Sequence, residues 1–179
     1  VNQIKSELWD WYGVDSLGAS HDFDEPVVWS YGVAQLLAQL VKMCSDGKLV
    51  AHFHEWLAGA GLLYVKQQKL PIATVFTTHA TVLGRTLSDQ GVDLYAEINH
   101  INPEQMARDK GVMAKHTLEK QTALGADICT TVSEITALEV ERFLGRRPDF
   151  ILPNGLDSKK FLSFEDITIA HHLERNRLR

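Results

Sequence analysis

The chain has 179 residues, enough for one domain with a substantial core, and its apolar (45%) and charged (23%) fractions are ordinary for a globular protein. The net charge of -5 argues against nucleic acid or an anionic membrane surface as a partner, and no apolar run approaches the roughly 20 residues of a transmembrane helix. Cys44 and Cys129 form no C-x-x-C motif, which indicates free thiols in a reducing compartment and therefore a cytoplasmic protein. No signal peptide is recognisable, and the start at Val1 predicts a fragment or a processed chain.

The first part of the chain divides into an irregular segment and a helical one. Residues 1–25 show no clear periodicity, so a loop-rich lead-in is predicted there. From Pro26 onward apolar side chains recur three and four residues apart, which predicts an amphipathic helix ending at Asp46 and Gly47. The side chains that define its apolar face are Val33, Leu36, Leu37, Leu40 and Val41.

A strand–helix–strand unit is predicted next. Residues 49–53 form a short apolar run typical of a strand, and residues 57–68 form a helix whose small side chains allow close packing against a sheet. Pro71 opens a second β-rich run, which ends in the polar residues 77–79. A helix of about a dozen residues between two strands makes the strands parallel, with a right-handed crossover.

The remaining segments continue this alternation. Predicted in chain order are a loop or broken helix over 93–102, a helix over 103–124, a strand over 126–132, a helix over 133–144, a strand over 150–152, a turn over 153–156 and a terminal helix over 165–179. Ser133 opens one of these helices without a G-x-S-x-G motif, so it is interpreted as an N-cap rather than a nucleophile. The alternation predicts an α/β fold with a mostly parallel sheet and flanking helices.

Polar and charged side chains stand at the predicted ends of the first two strands. His79 follows the second strand, Arg85 lies about two turns into the next helix, and Glu55 follows the first strand. Ligands bind at the carboxyl ends of parallel strands, and neighbouring strands lie about 5 Å apart, so these side chains can converge on one ligand. Imidazole and guanidinium groups suit an anion, and a carboxylate can bind sugar hydroxyls. The alternative is a polar strand cap beside a surface arginine.

The pattern His52-Phe53-His54-Glu55 admits a second interpretation. Alternation along a strand puts both imidazoles on one side, and H-x-H spacing is a known metal-ligand arrangement that Glu55 and His79 could complete. The alternative is one buried, hydrogen-bonded histidine and one turn histidine, and no second acidic cluster supports a metal. Neither G-x-G-x-x-G nor G-x-x-x-x-G-K-[ST] occurs, so no nucleotide-phosphate loop is predicted within the chain.

Four motifs carry a family resemblance over roughly residues 49–161, and FTTHAT followed by LGR is the most specific of them. They are HEWLAG (residues 54–59), FTTHATVLGR (76–85), TTVSEIT (130–136) and PNGLDSKKF (153–161). In this order and at this spacing they resemble the glycogen synthase family of the animal and fungal type.

The resemblance implies one half of a two-domain (GT-B type) glycosyltransferase, in which two Rossmann-like domains face each other across a cleft. It implies a retaining enzyme that moves glucose from UDP-glucose, or from ADP-glucose, to the non-reducing end of glycogen or another α-1,4-glucan without a metal or other cofactor. The site residues it implies are His79 and Glu55 for catalysis and Arg85, His54, Asn154 and Gly155 for donor binding.

The resemblance also implies parts that lie outside these residues. The family's glycine-rich loop belongs ahead of Val1 and its C-terminal nucleotide-binding domain follows Arg179, so the chain is interpreted as a partial N-terminal domain that is inactive alone. The donor nucleotide, a homo-oligomer and allosteric regulation stay open. So do three other functions: a related transferase with another acceptor, a non-catalytic binding module, and a metal hydrolase using His52, His54 and His79.

Overall fold

The computed structural model describes residues 1–44, 47–157 and 164–177, in which four strands form one parallel sheet. The strands are β1 (Leu49–His54), β2 (Ile72–Thr78), β3 (Ile128–Thr131) and β4 (Phe150–Ile151), and they lie in this order across the sheet. Every neighbouring pair is parallel, which confirms the predicted α/β class. The carboxyl ends of all four strands therefore meet at one edge of the sheet.

Helices precede, connect and follow the strands. In the described ranges they are α1 (Asn2–Tyr12), α2 (His21–Met43), α3 (Gly59–Gln67), α4 (Val82–Asp89), α5 (Leu94–Glu97), α6 (Pro103–Asp109), α7 (Met113–Gly125), α8 (Glu134–Glu139) and α9 (Phe164–Arg177). A 3-10 turn, Trp56–Ala58, leads into α3, and a π-helical turn, Val140–Leu144, extends α8. None of these described helices combines the length and the apolar character that crossing a membrane requires. The predicted helix end at Asp46 and the last two residues of the predicted terminal helix lie outside the described residues.

The prediction of a loop-rich lead-in over residues 1–25 is wrong, because α1 and the start of α2 occupy much of this segment. The acidic residues that interrupt the apolar pattern belong to the first turn of α2, where carboxylates stabilise the helix dipole. Lys5 of α1 is buried, and its ammonium lies 2.6 Å from a carboxylate oxygen of Asp24 in α2. An ion pair thus links the two helices here, and the prediction was wrong because it considered only the spacing of apolar residues.

The single helix predicted over residues 103–124 is divided into α6 and α7. Gly111 lies between them with φ at 70°, the left-handed conformation that commonly follows a helix end. The N–H of Val112 donates to the carbonyl oxygen of Ala107 at 2.8 Å and closes the last turn of α6. Asn102 caps the start of α6, and Pro103 occupies the first helical position as predicted.

Helix α3 packs between α2 and α7. A Cβ atom at Gly61 would lie 2.7 Å from the carbonyl oxygen of Ser30 in α2, and one at Gly59 would lie 2.4 Å from Oγ1 of Thr122 in α7. The small residues of α3 were predicted to allow close packing on the sheet, and Gly61 does approach Phe53 of β1. The closest approaches are nevertheless to the two helices, so these glycines set the spacing of the helical layer.

Strand β1 forms one edge of the sheet and has one covered and one open face. Ala51 and Phe53 are buried, whereas Val50, His52 and His54 are exposed. The two histidines therefore share a face, as the H-x-H spacing predicted.

Candidate active site

The first two strands end side by side at the carboxyl edge of the sheet. His54 of β1 is in register with Thr77 of β2, so Glu55 and His79 follow at neighbouring positions. The main-chain N–H of His79 donates a hydrogen bond of 2.9 Å to Oε1 of Glu55. The structure thus brings together the two residues that were predicted to converge from adjacent strand ends.

Glu55 has an unusual main-chain conformation. Its φ is 61° and its ψ is 169°, a region that is essentially restricted to glycine and costs about 1–3 kcal/mol for other residues. The N–H of Glu55 donates to the carbonyl oxygen of Thr77 at 2.9 Å, and its own carbonyl oxygen accepts from the N–H of Ala58 at 3.2 Å. These hydrogen bonds hold the strained turn in place. Backbone strain of this kind is concentrated at functional sites.

Three imidazole rings line up beside this turn. The ring centroids of His52 and His54 are 4.1 Å apart, and those of His54 and His79 are 5.7 Å apart. Nε2 of His79 lies 3.4 Å from Nδ1 of His54, and Nε2 of His52 lies 2.7 Å from Oγ1 of Thr77. Partial burial is the main cause that lowers the pKa of His54, and the nearby rings of His52 and His79 lower it further. The neutral form of His54 is therefore favoured. In the described part of the chain no three His, Cys, Asp or Glu side chains are arranged to hold a metal ion.

A pocket of about 310 Å³ opens beside Glu55 and carries two cationic side chains, Arg85 of α4 and Lys115 of α7. Arg85 is exposed, and no ion pair or side-chain hydrogen bond engages it among the described residues. Lys115 forms an ion pair with Asp22, and its ammonium lies 5.2 Å from the centroid of the Trp56 ring. Of the described residues that line this pocket, Arg85 therefore offers a cationic group to an anion.

Known proteins match this chain over nearly its whole length. The family model described as glycogen synthase covers residues 1–179. The chain belongs to the glycogen synthase family. It is 37% identical over 179 residues to glycogen [starch] synthase isoform 1 of Saccharomyces cerevisiae, and 40% identical over 171 residues to glycogen [starch] synthase of Dictyostelium discoideum. It is also 34% identical over 178 residues to the liver glycogen [starch] synthase of Mus musculus.

The glycogen synthase relatives are much longer than this chain. The three alignments cover 99%, 96% and 99% of the chain, but 25%, 20% and 25% of the yeast, Dictyostelium and mouse proteins. The chain therefore spans a quarter or less of the length of these relatives.

Two residues that the glycogen synthase motifs assigned to donor binding, Asn154 and Gly155, lie apart from the group at the first two strand ends. Both are exposed in an irregular segment that follows β4. Two strand spacings separate β4 from β2, or about 10 Å across the sheet. Among the described residues no hydrogen bond joins either of them to Glu55 or His79. The structure brings together Glu55, His79 and His54, and Arg85 lines the same pocket as Glu55.

Two buried glutamates that were not predicted from the sequence, Glu119 of α7 and Glu139 of α8, contact the segment between β2 and α4. Glu119 is fully buried and Glu139 is 5% exposed. The sequence carries only a weak indication that Glu119 is buried. It lies between Leu118 and Thr122, and these two residues are on the buried side of α7. Ser133, in contrast, accepts a hydrogen bond from the N–H of Thr136 at 3.1 Å, which confirms its interpretation as an N-cap.

Proposed function

We propose that the full-length protein transfers glucose from a sugar nucleotide to the non-reducing end of an α-1,4-glucan with retention of configuration. The observation that carries this proposal is the match of all 179 residues to the glycogen synthase family, whose three relatives above are named glycogen [starch] synthases. The arrangement at the ends of β1 and β2 supports it, because the carboxylate of Glu55 contacts the main chain of His79 and shares a pocket with the guanidinium of Arg85, which no ion pair engages among the described residues.

Each of these groups has a role in the proposed transfer. Departure of the nucleoside diphosphate develops negative charge on its phosphate, which Arg85 can stabilise. His79 lies beside the bound glucose, and the carboxylate of Glu55 stabilises the positive charge that develops on the sugar ring. His54 supports the ring of His79 from the open face of β1. Asn154 and Gly155 contact the donor only if it reaches across the sheet edge to β4.

The proposed donor is UDP-glucose, with ADP-glucose as the alternative, and the proposed acceptor is glycogen or a shorter α-glucan. Because Arg85 offers a fixed positive charge beside the pocket, the transfer is proposed to proceed without a metal. The two cysteines are unpaired, with Cys44 exposed and Cys129 buried, which supports placing the protein in the reducing cytoplasm.

The test is a transfer assay on the full-length protein with glycogen as acceptor and each sugar nucleotide as donor. We expect glucan elongation with one donor, and His79→Ala should lower kcat far more than it weakens donor binding, because the ring acts at the sugar. His100→Ala is the matched control, since this imidazole is exposed and lies after α5. Turnover of His79→Ala equal to that of the control would remove His79 from the site. Absence of elongation with both donors, in a folded protein, would favour a transferase with another acceptor.

A further inference from the structure

The segment that carries His79 is held by glutamate side chains from three different elements. Glu55, at the end of β1, accepts from the main-chain N–H of His79. Glu119 of α7 accepts from the main-chain N–H of Val82 at 2.9 Å. Glu139 of α8 accepts from the hydroxyl of Thr81 at 2.7 Å. Residues 79–82 therefore receive an acceptor from each of these three elements.

Glu119 joins the two ends of this segment. Its Oε2 accepts from the N–H of Val82, at the start of α4, and its Oε1 accepts from the hydroxyl of Thr78 at 3.2 Å, at the end of β2. His79 lies between these two contacts. Because Glu119 is fully buried, it has no water to replace either partner, and a change in its position must move both ends of the segment.

Glu139 fixes the first turn of α4, which leads to Arg85. Its Oε2 accepts from both the hydroxyl and, at 3.4 Å, the main-chain N–H of Thr81, and its Oε1 accepts from the hydroxyl of Tyr95 at 2.9 Å. A Cβ atom on Gly84 would lie 2.2 Å from Oε2 of Glu139, so the carboxylate fits against the helix only because residue 84 is glycine.

We propose that Glu119 and Glu139 are positioning residues of the glucosyl-transfer site, which hold residues 78–82 so that His79 and Arg85 keep a fixed separation. This inference rests on the proposed function, because the groups being positioned are those assigned to the sugar and to the phosphate. The two glutamate side chains also accept from the N–H groups of Thr81 and Val82, the first two at the start of α4. The donor phosphate is thereby directed to Arg85 rather than to the end of this helix.

The protonation state of Glu119 provides a readout that a purely structural role would not change. Burial raises the pKa of Glu119 to about 8, so this side chain is mostly neutral at pH 7. The titratable groups that face it are Glu55 from the end of β1, Glu139 from α8 and Cys129 from β3. As the pH rises past 8, a negative charge appears on Glu119 beside two other carboxylates, and the geometry of residues 78–82 is disturbed.

The experiment compares Glu119→Ala, Glu139→Ala, Glu119→Gln and Glu139→Gln with wild type in the full-length protein. We expect each alanine variant to lower kcat about tenfold or more with a smaller change in the KM of the donor, because misplaced catalytic groups mainly affect the chemical step. The glutamine variants keep the side-chain volume and should recover most of the activity at pH 7. In Glu119→Gln the fall in activity at alkaline pH should move upward by about one pH unit or more.

Asp127→Asn is the matched control. Asp127 also accepts hydrogen bonds from β2, from the N–H and hydroxyl of Thr74, but at the opposite end of the strand. It should leave kcat and the pH profile unchanged. Hydrogen exchange of a peptide covering residues 77–86 supplies a readout that is independent of activity, and this peptide should exchange faster in the alanine variants alone.

The outcomes separate this inference from the proposed function. The positioning role is wrong if wild type transfers glucose and the folded alanine variants have the same kcat as wild type. It is also wrong if the activity of Glu119→Gln falls at the same alkaline pH as that of wild type. If the alanine variants do not fold, the pH profile of Glu119→Gln decides. If wild type transfers no glucose, the proposed function fails, and unchanged exchange of residues 77–86 would then also overturn the positioning role.

Discussion

The main-chain N–H of His79 donates a 2.9 Å hydrogen bond to the carboxylate of Glu55, whose own backbone is held at φ 61° and ψ 169°. The two residues are 24 positions apart in sequence and end adjacent parallel strands. The strained turn at Glu55 directs its carboxylate across to the next strand, where it meets the loop that carries His79. Strand pairing and local strain together place a carboxylate next to an imidazole at the sheet edge.

Replacement of Glu55 by glycine and by alanine should reveal the backbone strain directly. Both variants lose the carboxylate that His79 contacts, so their difference in stability isolates the main chain. Glycine adopts the observed φ and ψ without steric cost, and we expect Glu55→Gly to be more stable than Glu55→Ala by about 1–2 kcal/mol. Urea unfolding followed by circular dichroism measures this difference.

The control for this comparison is Gln35, an exposed residue within α2. There Gln35→Gly should be less stable than Gln35→Ala by about 1 kcal/mol, because glycine disfavours a helix interior. The expected signs are therefore opposite at the two positions. The same sign at both would show that the turn at Glu55 carries no strain.

Removal of the Arg85 guanidinium should slow the proposed transfer. If this side chain stabilises the departing phosphate, Arg85→Ala should raise the activation free energy by about 2–4 kcal/mol, as loss of one preorganised electrostatic donor does. Arg85→Lys should recover part of the rate, since it keeps the charge but not the planar fork. The ratio kcat/KM for the donor is the quantity to measure, with Arg142→Ala as the exposed control. Unchanged kcat/KM in Arg85→Ala would make Arg85 a structural residue.

Much of the sheet was predictable because its strands are short, apolar and bounded by turn residues. The pairing of β1 with β2, and with it the meeting of Glu55 and His79, followed from the strand–helix–strand alternation alone. The helix α1 was not predictable in the same way, since Lys5 is buried against the carboxylate of Asp24 and no apolar period marks that contact.

The missed parts of the candidate site depend on contacts between distant elements. The conformation of Glu55 depends on the hydrogen bond from its N–H to the carbonyl oxygen of Thr77 in β2, which no local pattern of residues encodes. Glu119 and Glu139 are charged residues within helices, and single-sequence analysis expects such residues to face solvent. Only the assembled structure places them against residues 78–82.

A buried histidine should make the protein less stable in mild acid. His116 of α7 is fully buried, and neither ring nitrogen has a hydrogen-bond partner among the described residues. Burial is the main cause that lowers the pKa of His116 to about 4. Between pH 6.5 and pH 4 the unfolded chain therefore binds a proton at this residue that the folded chain does not. The contribution of His116 to the free energy of unfolding must fall as the pH falls through this range, by at most about 1.4 kcal/mol per pH unit.

His116→Leu should remove this contribution and leave the core filled. We expect the variant to be at least as stable as wild type at pH 7, because it removes two buried ring nitrogens that have no hydrogen-bond partner among the described residues. The difference in free energy of unfolding between variant and wild type should grow as the pH is lowered from 7 to 4.5. Titrations of groups that do not interact with His116 cancel in this difference. A difference that stays constant over the range would mean that His116 titrates normally in the folded protein.

The glycine at position 61 should be required for the contact between α2 and α3. Gly61→Ala places a Cβ atom 2.7 Å from the carbonyl oxygen of Ser30, and the helices must separate to relieve this overlap. Separation would also lengthen the 2.7 Å hydrogen bond from the N–H of Gly61 to Oγ of Ser30. We expect a loss of about 1–3 kcal/mol in the free energy of unfolding.

Gly32→Ala in α2 is the matched control, because a Cβ atom there meets nothing within 4 Å. It should gain about 0.5–1 kcal/mol from the helix propensity of alanine. Equal urea midpoints for the two variants would show that residue 61 does not set the distance between these helices.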